Sequence, residues 1–142
     1  MKPKIYDSGP PVSEDELERL EARLRHKLPE PYRSFLLKHN GGRPEPNTFV
    51  PRGKSEPTET LNSFLAIGGD TAGGSLDEFL DLYRGRLPEG FLPVAYDAFG
   101  NLIGIMLSGH HRGQLYFWEH EEEGRSWLLA EDWDSFFSSF SK

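Results

Sequence analysis

Asn101-Leu102-Ile103-Gly104-Ile105-Met106-Leu107 decides the fold. Successive side chains of a strand point to opposite faces, so Leu102, Gly104 and Met106 share one side and Ile103, Ile105 and Leu107 the other. Both sides are apolar, which predicts a central strand with something packed over each face. Three more strand patterns lie around it, at residues 91–97, 114–118 and 126–129. The turns between them, at 98–100, 108–113 and 121–124, are too short for a parallel crossover, which takes about a dozen residues. The four strands should therefore run antiparallel. Asp97-Ala98-Phe99-Gly100-Asn101 reads as a tight hairpin loop, and Gly100 is expected at positive φ.

Helical patterns flank this meander. Ser13 and Glu16 have capping-box spacing, and Leu17, Leu20, Leu24 and Leu28 follow at helical intervals. Asp15–Arg19 and Glu21–Arg25 are oriented as i,i+4 ion pairs, and Pro29 should stop the helix. A second helix can start at Pro31, bury Tyr32, Phe35 and Leu36, and end at His39-Asn40-Gly41-Gly42. Residues 41–59 hold seven Gly and Pro and read as loop with one short edge strand near Thr48-Phe49-Val50. A strand is expected at 61–67. A third helix should follow from a Ser75/Glu78 box, with Leu76, Phe79, Leu80 and Tyr83 as its buried stripe. Trp133, Phe136, Phe137 and Phe140 mark a closing amphipathic helix. The sum is a single α+β domain, an antiparallel or mixed sheet with flanking helices, over residues 13–140, preceded by a flexible segment at 1–12.

Composition narrows the function. The 142 residues suit one domain, and 10 Phe, 5 Tyr and 3 Trp can build its core. No cysteine is present, which removes disulfides, thiolate metal sites and cysteine nucleophiles, and fits a cytoplasmic, reducing location. Lys2 and Lys4 are followed by no apolar stretch, so no secretory signal is visible and no membrane span is expected. A net charge of −7 argues against direct contact with nucleic acid.

Catalytic patterns are weak. Gly68-Gly69-Asp70-Thr71-Ala72-Gly73-Gly74 precedes a helix but lacks the Lys-Ser/Thr ending of a phosphate loop. His110, His111 and His120 have no metal-ligand spacing. Ser108, His110 and Asp97 could be written as a triad, but no nucleophile elbow accompanies them. No catalytic residue, metal or cofactor is expected. The charge distribution is more telling. Residues 119–134 carry Glu119, Glu121, Glu122, Glu123, Glu131, Asp132 and Asp134 against Arg125 alone, so −6 of the total −7 falls there. Such a stretch can be a solvated face with acids at a helix start, or a docking surface steering a basic partner. Trp118 and Trp127 are the aromatic anchors considered beside it.

Several blocks together resemble the SUKH superfamily, which includes fungal Smi/Knr-type cell-wall regulators and many bacterial immunity proteins. LPEPYRSFLLKHNGG (28–42) is similar to its pattern P-x-x-Y-x-x-F-L-x-x-x-N-G-G. AIGGDTAGG, LPEGFLPVAYDAFGNLIGIML (87–107), GQLYFWEHE (113–121) and WDSFFSSF follow in the family's order. Phe99 stands where a small residue is common, and Leu115 where a β-branched one is usual. The resemblance implies an α+β fold without catalysis and, in bacteria, an immunity protein that binds a cognate toxin, often a nuclease, from a contact-dependent or polymorphic toxin system. It places no binding residues, because pairing surfaces must differ between members. A regulatory or scaffolding module is the alternative, and a histidine-dependent hydrolase ranks third.

Overall fold

The computed structural model describes residues 1–68, 73–121 and 125–141. Its centre is a five-stranded antiparallel sheet in the order β5-β6-β7-β8-β9, formed by Ser63–Phe64, Phe91–Tyr96, Leu102–Met106, Leu115–Trp118 and Ser126–Ala130. The strand at Leu102–Met106 lies in the middle, as its two apolar faces require. Ile103 and Ile105 join Leu115 and Phe117 in the main core. Leu102 turns the other way, into a smaller cluster with Phe91 and Trp118. Four helices accompany the sheet: α1 (Glu14–Leu24), α2 (Glu30–Lys38), α3 (Leu76–Leu82) and α4 (Trp133–Phe137). Side chains of α1, α2 and α4 fill the main core, whereas Phe79 and Tyr83 close the smaller cluster. The architecture is α+β.

Local chemistry accounts for the boundaries. Ser13 accepts the Glu16 N–H while Glu16 reaches back to the Ser13 backbone, a complete capping box. The helix stops at Arg25, which takes a left-handed φ of 61°, rather than running on to Pro29. Leu28 is still buried, delivered by the loop. The expected Glu21–Arg25 pair is replaced by a longer-range arrangement. Glu21 accepts the Leu28 N–H at 2.8 Å and lies 3.4 Å from the Arg33 guanidinium, tying α1 to α2. In α3 Ser75 caps the Glu78 N–H, but only Leu76 is fully buried, and Phe79, Leu80 and Tyr83 are partly exposed.

The expected strand at 61–67 shrinks to Ser63–Phe64, with Leu65 bonded beyond it to the Val94 carbonyl. The first twelve residues, expected as a flexible segment, instead carry strand β1 (Lys4–Tyr6), paired with β2 (Arg43–Glu45). Val12 is buried as well. The loop 41–59 also supplies β3 (Thr48–Phe49), which pairs with β4 (Glu59–Thr60). Polar and proline-rich sequences hide such two- and three-residue ribbons, since period-2 alternation cannot show over so short a run.

Gly100 has φ 87° in the loop between Phe91–Tyr96 and Leu102–Met106, as the hairpin reading expects. A Cβ there would also lie 3.2 Å from the His120 ring. Gly100→Val should therefore cost about 1–2 kcal/mol, measured as a lower urea midpoint. An unchanged midpoint would show that the loop simply adopts another turn.

Candidate functional site

The hairpin loop after Tyr96 is organised by one carboxylate. Asp97 Oδ1 accepts the N–H groups of Phe99 and Asn101, each at 2.9 Å, and its Oδ2 accepts the Asn101 amide at 2.9 Å. These bonds pin the loop and hold Phe99 outward, where it is 78% exposed. Asn101 Oδ1 in turn accepts the His120 N–H at 3.2 Å, locking the loop to the end of β8. The result is a concave surface at this end of the sheet. A cleft of about 320 Å³ opens between the loop and β4, with Phe117 and Trp127 on its apolar side and Glu59, Asp97 and Glu119 as its carboxyls. An adjoining hollow shares Phe99, Asn101 and Glu119 and adds His120 and Glu121.

Trp127 stacks on Phe117 with ring centroids 4.8 Å apart. Arg125 lies over that indole, 5.9 Å from the centroid, with Nε 3.9 Å from Glu119 Oε2. Glu59 is half-buried, and its carboxylate has no hydrogen bond or ion pair among the described residues. Desolvation, followed by the nearby Asp97 charge, raises its pKa above the ordinary glutamate value. The native state then holds a proton that the unfolded chain has already released. Stability thus falls as pH rises through the folded pKa, and the ionised carboxylate carries the full cost at neutral pH. Glu59→Gln should raise the melting temperature modestly at pH 7, within the ~0.5 kcal/mol usual for surface changes, and the gain should vanish by about pH 4. A lower melting point at pH 7 would mean that the carboxylate stabilises the fold.

The acidic stretch divides. Glu119 and Glu121 sit at the cleft end of β9, whereas Glu131, Asp132 and Asp134 lie beyond its other end. Five residues of strand separate the two groups, about 16 Å. Glu131 is paired with Arg52 at 3.0 Å and receives the Gln114 amide at 3.1 Å. Asp132 is the N-cap of α4, accepting the Ser135 N–H at 2.8 Å. Asp134 lines a separate groove together with Lys2 and Lys38. Glu122 and Glu123 lie outside the described residues. Trp118 is no surface anchor: it is fully buried in the smaller cluster, with the Arg86 guanidinium 5.7 Å from its ring. Trp127 is 36% exposed. Glu59 and Phe99 are the functional candidates that sequence reasoning missed. Nothing in the Gly/Pro-rich loop signals that β4 aims a glutamate at a hairpin nearly forty residues on.

The alternative chemistries fare worse. Asp97 is committed to its own turn, and Ser108 and His110 lie past the opposite end of β7, about 16 Å away along the strand. His120 sits at the Asp97 end and His110 and His111 at the other, so the three histidines do not converge. Among the described residues no group of three or more His, Asp or Glu could hold a metal ion. The glycine run at 68–74 is described only at Gly68, Gly73 and Gly74. Among the described residues no helix is long and apolar enough to cross a membrane.

Fold and site together are an α+β sheet with an acid- and aromatic-lined concavity at one end. The SMI1 / KNR4 family (SUKH-1) model matches residues 11–139, and the chain belongs to that family. It is also similar to the SPbeta prophage-derived uncharacterized protein YokK of Bacillus subtilis (strain 168), with 28% identity over 85% of this chain and 70% of that one.

Proposed function

We propose that the protein is a non-catalytic immunity protein that binds and neutralises a cognate bacterial toxin, a basic domain such as a nuclease, by covering its active site or substrate groove. Family membership across residues 11–139 carries this reading. The prophage origin in the name of YokK agrees with carriage on a mobile element. The charge excess in residues 119–134 supports a basic partner, because such an excess speeds encounter with a positively charged surface.

Steering makes a kinetic prediction. Changing Glu121, Glu122 and Glu123 together to lysine should slow association with the toxin about tenfold at low salt and alter dissociation less. The parent's association should itself slow as salt rises, because exposed charges are screened beyond about 8 Å at physiological ionic strength. Stopped-flow mixing at two salt concentrations reads both effects. Equal rates for parent and variant at low salt would remove these glutamates from the docking surface. A scaffold of the Smi/Knr kind would instead bind a partner whose loss leaves toxin sensitivity unchanged.

A further inference from the structure

The proposed function leaves open which part of the surface does the recognising. Three observations converge on the cleft between β4 and the hairpin loop. First, it exposes aromatic surface: Phe99 stands 78% exposed on a loop fixed by Asp97, and Trp127 is 36% exposed. Second, Glu59 and Glu119 lie on this cleft, and the Glu59 carboxylate has no hydrogen bond or ion pair among the described residues. Desolvation and then the nearby Asp97 charge both disfavour its ionised form, which an incoming cation would relieve. Third, the chain's own Arg125 shows what the wall accepts, a guanidinium over the Trp127 ring and near Glu119. Arg125 offsets only part of the charge of Glu59, Asp97 and Glu119.

We infer that this cleft is the recognition pocket for an arginine side chain of the partner protein, held against the Phe99 ring and the exposed part of Trp127 by the Glu59 and Glu119 carboxylates. A guanidinium suits it better than an ammonium. Its planar face packs on an aromatic ring such as Phe99, and its fork of N–H donors serves two carboxylates at once. The inference rests on the binding reading above and deepens it by naming the pocket and the side chain it takes.

Titration with acetyl-Gly-Arg-Gly-amide, followed by amide and indole NMR shifts at constant ionic strength, tests the pocket without any toxin. Saturable shifts are expected at the Trp127 indole, at residues 97–101 and at Glu119, with a dissociation constant of about 1–10 mM for so small a probe. The same peptide with citrulline in place of arginine should give no saturable shift. Glu59→Gln and Phe99→Ala, both compatible with the fold, should each weaken arginine-peptide binding about threefold to tenfold. Equal response to citrulline, shifts centred on the Asp134 groove, or no saturation would overturn the inference. Co-expression with the toxin separates this from the broader reading. Rescue by the parent and equal rescue by a Glu59→Gln/Phe99→Ala double variant would sink the pocket and leave immunity standing. Arginine binding at the cleft without any rescue would sink immunity and leave the pocket standing.

Discussion

Replacing Gly41 by alanine is expected to cost about 3–4 kcal/mol, enough to take a large share of a typical domain's stability. Gly41 has φ 73°, and a Cβ placed on it would lie 2.8 Å from Ala66 N, the Leu65 carbonyl carbon and Phe64 O. All three are backbone atoms of the segment that starts the central sheet, so no rotamer change can relieve the clash. Gly42 next to it exchanges two backbone hydrogen bonds with Phe64, at 3.0 and 2.8 Å, which the shift would disturb. Gly53 provides the comparison. Its φ is 81°, but nothing lies within 4 Å of an added Cβ, so Gly53→Ala should cost only the left-handed strain of about 1 kcal/mol. Urea denaturation of the two variants separates close approach from conformational preference. Equal losses would mean that the contact with residues 64–66 does not matter.

A second large loss is expected for Asn40→Ala, again about 3–4 kcal/mol. Asn40 is 3% exposed and joins three segments. Its amide donates to the Pro10 carbonyl at 2.8 Å and to the Ile67 carbonyl at 2.9 Å, and its Oδ1 accepts the Ile67 N–H at 2.7 Å. Alanine leaves one donor and two acceptors part-buried without partners, and each such group costs about 1–3 kcal/mol when water cannot reach it. Asn40→Asp keeps the bond from Ile67 but turns a carboxylate toward two carbonyls. That variant should regain stability as pH falls, because a proton restores one donor and removes the charge. Thermal melts at pH 7 and pH 4 check both. An Asn40→Ala variant within 1 kcal/mol of the parent would show that the three segments are held by something else.

Asn40 also shows where the sequence was informative and where it was silent. Asn-Gly-Gly after an amphipathic run announces a helix stop, and the stop is there, with Gly41 in the left-handed region. That the same asparagine stitches the lead-in to the segment before α3 depends on contacts about thirty residues away, which no local pattern contains. The central strands were legible for the converse reason. Alternation in 101–107 survives because each residue sits in one of two cores, and the short turns force antiparallel neighbours. The acidic stretch was legible only as a run of charge. Charge density singled out residues 119–134, but linear density ignores that β9 carries its two ends apart, and that Glu131 and Asp132 have structural partners. The cleft itself is assembled from β4, the 97–101 loop and two strands, so its glutamate at position 59 could emerge only from the fold.

The central claim is that this protein neutralises a toxin by binding it. Co-expression with the reading frame beside its gene, scored both as cell survival and as co-purification with the tagged protein, tests that most directly. The account predicts survival only when the protein is present, together with recovery of a stable complex. Death regardless of its presence, or survival with no complex between the two products, would contradict it.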